Sequence, residues 1–594
     1  MCGIAGIFSY HADAPPVDQA ELLRIRERMV ARGPDGAGLW VSDDQRVGLA
    51  HRRLAIIDLS PAGAQPMHDP ETGNWIVFNG EIYNHVALRE QLNRDGIVTR
   101  SHSDTEVLLK LYGHLGPGMM NMLRGMFGFA IWDARKRQMF LARGPLGVKP
   151  LYIADDGKTL RFASQVKALL AGQVDTRPEP AGHAGFLLWG SVPDPYTLYR
   201  GIRAVPAGHW MLVADGVVGE PVCYNNPTLG LRNVARAGPD DTDAALRQIA
   251  AAVHDSVAAH MVSDVPVGVF LSSGLDSTMI AACAASLGTL RTLTLGFEEY
   301  AGTVHDEAAL ASEVAQSLGA SHTLHRISAA DFARDREQLL AAMDQPSIDG
   351  VNTWFVAKAA AQQGLKVALS GIGGDELFGS YPGFSQIPRL RKALEGLKGL
   401  PLLGRIIRKG LSPFTGLLPS AKYAGLLEYG TSLEGAYLLR RALFMPWEIG
   451  ALMDPEMAAE GLKELDTLSR LRATTNGLGS ERIAISALEI QWYMKNQLLR
   501  DADWAGMAHS LEIRVPLLDM PLFEKFVEIP GLDATQEKRM IARTVAPNLP
   551  EAVLNRPKSG FAVPTHQWLH PDAQNTIINN REWALMLYRS FTQP

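Results

Sequence analysis

The chain has 594 residues, too many for one hydrophobic core, so two or more domains are expected. Apolar residues make up 46% and charged residues 20%, with a formal net charge of −6. That balance gives no basis for nucleic-acid binding, and no run is long enough to cross a bilayer.

Cys2 follows Met1. Removing Met1 leaves a residue with both a thiol and a free α-amine, and such an amine serves as its own residue's general base. The other cysteines, Cys223 and Cys283, add neither a CxxC pair nor metal-ligand spacing. No signal peptide opens the chain, and the expected compartment is the cytoplasm.

Gly3-Ile4-Ala5-Gly6-Ile7-Phe8 predicts a buried strand. Short strands follow at residues 47–50 and 75–78, helical spacing at 82–92 and 105–115, and a hairpin at 127–142 around Asp133. This order predicts stacked sheets between helices. Polar clusters interrupt it: Arg32-Gly33-Pro34-Asp35-Gly36, His51-Arg52-Arg53-Leu54, Asn79-Gly80-Glu81-Ile82-Tyr83-Asn84 and Ser103-Asp104. A free amino acid needs a cation for its carboxylate and an anion for its amine. Arg53 supplies the first as a bidentate fork, and Asp104 and Glu81 are candidates for the second. The Asn79 amide and Gly80 N–H suit an oxyanion.

With Cys2-Gly3-Ile4-Ala5-Gly6, these clusters resemble, in order, the N-terminal-nucleophile glutaminase domain of class II glutamine amidotransferases. The resemblance implies that Cys2 attacks the side-chain amide of glutamine, that Arg53 and Asp104 hold its carboxylate and amine, and that Asn79 and Gly80 form the oxyanion hole. The implied glutamine pocket is Arg53, Ile57, Asn79, Gly80, Glu81 and Asp104. Two positions depart from the family pattern: Gly144 after Arg143 where Asp is usual, and Gln165 where Glu is usual.

A Pro-, Gly- and Asp-rich stretch marks a linker at residues 221–242, between a domain of residues 1–220 and one of 243–594. Beyond it, an apolar strand runs into Ser272-Ser273-Gly274-Leu275-Asp276-Ser277 and then a helix, an arrangement that favours phosphate. Strands at 293–297 and 366–370, alternating with helices, predict a doubly wound parallel sheet with ligands at the strand carboxyl ends. Asp276 and Asp375 each follow a strand end, and such a pair suits Mg²⁺ carrying a polyphosphate.

This half resembles the ATP-pyrophosphatase domain of asparagine synthetases through that loop, Ser370-Gly371 with Asp375-Glu376, residues 508–519, and Arg556-Pro557-Lys558. The resemblance implies an ATP site of Leu271, Ser272, Ser273, Gly274, Asp276, Ser277, Leu295, Ser370 and Gly371, metal ligands Asp276 and Asp375, and a catalytic Lys558. Ser273 stands where the family has glycine, and Ile372 where many members have a glutamate near the acceptor. The expected reaction is glutamine- and ATP-dependent amidation through an acyl-adenylate. Its default acceptor is L-aspartate, and a sugar acid, peptide or natural-product acid is the alternative. A ring-closing synthetase needs no Cys2 glutaminase, and an interaction protein needs none of these polar residues. Expected partners are small molecules, with no nucleic acid and no membrane; a homodimer is left open. The basic helices of 385–480 are expected to pack on their own domain, a membrane surface being the lesser alternative.

Overall fold

Alternation of apolar and polar residues in the first third builds two antiparallel sheets in the computed structural model, which describes residues 2–233, 242–303, 305–397, 401–411, 420–527, 534–556, 563–569 and 580–592. One sheet runs Arg203–Ala204, Tyr152–Asp155, Thr159–Ala163, Gly3–Ser9, Val47–Arg53, Gly36–Val41. The other runs Val217–Val218, His209–Ala214, Gln138–Arg143, Gly125–Asp133, Trp75–Ile82, Met67–His68. Their inner faces meet through Ile4, Phe8, Leu49, Val77, Ala130 and Leu141. The helix Gln19–Glu27 covers one outer face with Leu22 and Ile25, and Asp104–Leu115 covers the other with Leu108 and Leu111. This is the expected αββα sandwich.

The second half carries a five-stranded parallel sheet ordered Ser321–Ile327, Arg291–Phe297, Val267–Phe270, Val367–Leu369, Glu512–Arg514. Its first strand in sequence, Val267–Phe270, lies at the centre. The order therefore reverses there, and the loops after Val267–Phe270 and Val367–Leu369 diverge to form a crevice. Two strands escape the periodicity. Ser321–Ile327 is an edge strand with a polar pattern, and Glu512–Arg514 is three residues long. The basic helices pack within their own half: Arg408 pairs with Glu428 at 2.6 Å and lies over Trp447, and Arg391 pairs with Glu481. Among the described residues no helix is long and apolar enough to cross a membrane. Of the expected linker, residues 234–241 lie outside the described part.

The two halves share cores. The helix Pro180–Trp189 is buried on every side, His183 being its one polar side chain, and it packs Phe186, Leu187 and Trp189 among second-half helices. A helix of that kind needs partners on every side. Leu54 and Ile56 likewise belong to the core built on the parallel sheet. Where Pro180–Trp189 meets the helix Pro455–Leu465, a Cβ on Gly461 would lie 2.1 Å from the Pro180 carbonyl oxygen. Gly461→Val is therefore expected to wedge the helices apart and cost about 1–3 kcal/mol, read as a lower urea midpoint.

Candidate active site

Cys2 immediately precedes Gly3–Ser9, one of the two middle strands of the first sheet, and Asn79 and Gly80 lie on the facing strand of the second. The Cys2 N–H donates to Asn79 Oδ1 at 3.0 Å, and Cys2 Sγ lies 4.0 Å from the Leu54 carbonyl oxygen. Asn79 is fully buried, and its Nδ2 faces Ser164 Oγ at 3.5 Å. Gly80 is required by close approach, because a Cβ there would stand 2.2 Å from the Met126 carbonyl oxygen. Burial pushes the Cys2 thiol up; the positive amino terminus and Arg53 only partly offset it. The thiol thus rests protonated, and attack requires a base to take that proton.

The Arg53 guanidinium donates to the Ser60 carbonyl at 2.8 Å and to that of Asp58. Ile57 follows on the same loop, half-buried against the second core. Asp104 caps its surroundings by accepting from the Ile82 N–H at 3.0 Å, and burial raises its carboxyl. Glu81 turns toward the other half, where Arg514 Nη2 lies 3.6 Å away. Burial and then the Glu512 charge raise Glu81 strongly, whereas the amino terminus and Arg514 overcome burial and hold Glu512 at about 2. Glu81 therefore keeps its proton and Glu512 the charge.

Sequence reasoning missed a clamp at this site. Arg32 donates through Nε to the Cys2 carbonyl oxygen at 3.0 Å, and its two other nitrogens grip Asp503 at 2.6 and 3.0 Å. Both side chains are buried, at 1% and 6% exposure. The motif containing Arg32 was legible, but a partner 471 positions away was not.

In the second half a cavity of about 460 Å³ opens at the crevice, lined by Leu271, Ser272, Ser273, Gly274, Asp276 and Ser277 from one loop and by Ser370, Gly371, Ile372 and Asp375 from the other. Leu295, from the neighbouring strand, completes the apolar wall. The first loop is pinned on itself: Gly274 N–H donates to Ser272 Oγ, and Ser277 Oγ donates to the Gly274 carbonyl, each at 3.1 Å. Ser273 is fully buried and its Oγ has no hydrogen-bond partner. Asp276 Oδ2 and Asp375 Oδ1 lie 2.7 and 2.6 Å from the Lys538 ammonium, which the sequence did not single out. Two carboxylates that share one monovalent cation are placed to share a divalent one. No third His, Cys, Asp or Glu joins them among the described residues. Ile372 places an apolar side chain in this wall. Lys558 lies outside the described residues.

Residues 1–222 match the model of the glutamine amidotransferase domain, and residues 248–582 match that of asparagine synthase. The chain belongs to the asparagine synthase family. It is 33% identical over 597 residues to asparagine synthetase [glutamine-hydrolyzing] 1 of Bacillus subtilis, covering 98% of this chain and 89% of that one. A putative asparagine synthetase [glutamine-hydrolyzing] of Mycobacterium tuberculosis is also 33% identical, over 96% of this chain and 88% of its own length. Amidase chry2 of Gibberella zeae is 26% identical over 96% of this chain and 90% of its own length. Family membership makes this chain a glutamine-hydrolysing, asparagine synthetase-like ligase.

Arg32→Met leaves Asp503 buried without its cation, at an expected cost of about 3–5 kcal/mol. The double variant Arg32→Met/Asp503→Leu is expected to recover most of it, measured by thermal unfolding.

Proposed function

We propose that Cys2 hydrolyses glutamine and that the released ammonia passes through the protein to an acyl-adenylate formed in the crevice cavity. The observation that supports this best is the joint placement of a buried thiol beside amide donors and, across a shared core, a phosphate-type loop with two convergent carboxylates.

The thiol attacks the glutamine side-chain carbonyl. Its proton goes to the α-amine that loss of Met1 exposes, and then to the leaving ammonia. Asn79 Nδ2 and the Gly80 N–H receive the oxyanion. Arg53 takes the α-carboxylate, Ile57 lines the pocket, and Glu81 and Asp104 face the α-ammonium. Burial lifts both carboxyls, the Glu512 charge adding to it at Glu81, and an ammonium set between them lowers both again.

In the second half Leu271, Ser272, Ser273, Gly274, Ser277, Leu295, Ser370 and Gly371 form the ATP site. Asp276 and Asp375 are the residues that would hold Mg²⁺, which when bound neutralises charge on the polyphosphate. Lys538 shares those carboxylates, and Lys558 is assigned to the reacting phosphate. The acceptor carboxylate displaces pyrophosphate from ATP; ammonia then displaces AMP, giving an amide. L-Aspartate is the first acceptor proposed. A larger carboxylic acid is the second, favoured by Ile372, which offers no polar atom to aspartate or ammonium.

Cys2→Ala is expected to abolish glutamine hydrolysis while pyrophosphate release with ammonium chloride persists. Persistent glutaminase activity in that variant refutes the nucleophile.

A further inference from the structure

A second cavity of about 370 Å³ backs onto the first, and Asp349 and Tyr493 line both. By itself it falls in the range of whole ligand sites, about 300–1,000 Å³. Trp189, Tyr437, Trp492 and Tyr493 give it aromatic walls. One of its buried polar groups lacks a hydrogen-bond partner. Trp189 is 8% exposed, yet its indole N–H makes no hydrogen bond.

The charges in this cavity are asymmetric. Arg441 is neutralised by Glu489 at 2.6 Å and lies over the Tyr493 ring at 3.8 Å. Lys422 and Arg440 form no ion pair within 4 Å among the described residues, although Glu448 lies near the first and Glu489 near the second. Burial and then the positive Arg581 and Arg440 push the Lys422 ammonium down to about 8. Asp349 accepts from the Tyr493 hydroxyl at 3.2 Å and stands where the two cavities meet. Two cations, aromatic walls, an unpaired indole N–H and a junction with the nucleotide cavity describe a site for an anion-tailed molecule.

We propose that this second cavity holds the body and tail of the acceptor. That acceptor is the larger carboxylic acid of the second reading above. Its reacting carboxylate lies beside the nucleotide, its planar body lies along Tyr437 and Trp492, and its second anionic group meets Lys422 and Arg440. This inference rests on the adenylation proposed above. It also accounts for Ile372: an acceptor held by its far end needs no polar contact at that position.

The test measures pyrophosphate release with ATP, Mg²⁺ and ammonium chloride for L-aspartate, 3-phenylpropanoate and 3-(4-carboxyphenyl)propanoate. Glutamine hydrolysis is followed in the same preparation. The diacid is expected to exceed the monoacid at least tenfold in kcat/KM. Lys422→Met is expected to raise the diacid KM at least tenfold with kcat within twofold, and Lys422→Arg to restore it. Equal use of diacid and monoacid, or an unchanged KM in Lys422→Met, overturns the inference. So does turnover of L-aspartate alone, unaltered by Lys422→Met, while the amidation reading stands. Glutamine hydrolysis without pyrophosphate from any of the three acids also overturns it, because the diacid carries the carboxylate, planar body and second anion assigned to the cavity.

Discussion

The buried Arg32–Asp503 pair is the contact on which both halves depend. One guanidinium holds the backbone of the nucleophile and, with its remaining donors, a helix of the other half. Burying two charges costs several kcal/mol each, and only complete pairing offsets it. The bidentate geometry meets that demand, and the Nε bond to Cys2 fixes the fork in place. Movement of the helix Leu499–Met507 is thereby tied to the carbonyl of Cys2.

Around this clamp the interface is built like an interior. Asp58 N–H donates to Asp264 at 2.7 Å, and the Asp264 N–H donates back to the Ile56 carbonyl at 2.9 Å. Asp194 accepts from Arg143 at 3.2 Å and from Arg500 at 2.7 Å, and together they overcome its burial and hold it at about 2. Arg124 reaches both Asp255 and Asp519. The loop bearing Arg53 and Ile57 is thus held from both sides, which fixes the glutamine-side residues to the second half.

Much of this was legible because it is local. The strand after Cys2, the hairpin around Asp133, the loop 272–277 and the alternation in the second half follow from period and turn chemistry. The separate candidates Cys2, Asn79 and Gly80 do meet, as do Asp276 and Asp375. What escaped was non-local or lacked an apolar pattern. Lys538 is one lysine among many until the fold carries it between two carboxylates. Glu81 reads as a glutamine ligand, but the structure also sets it against Arg514 and Glu512, which no spacing announces. The helix Pro180–Trp189 looks like part of the first domain and is buried largely by the second.

That sharing also sets a timetable for synthesis. Arg32 leaves the ribosome 471 residues before Asp503. At roughly 5–20 residues per second, it waits about 25–95 s for its partner. Leu54, Ile56 and the largely apolar helix Pro180–Trp189 wait as well, exposed on a sandwich whose own core is already closed. The nascent first half is therefore a natural client for a holding chaperone until the strand Glu512–Arg514, the last among the described residues, is translated.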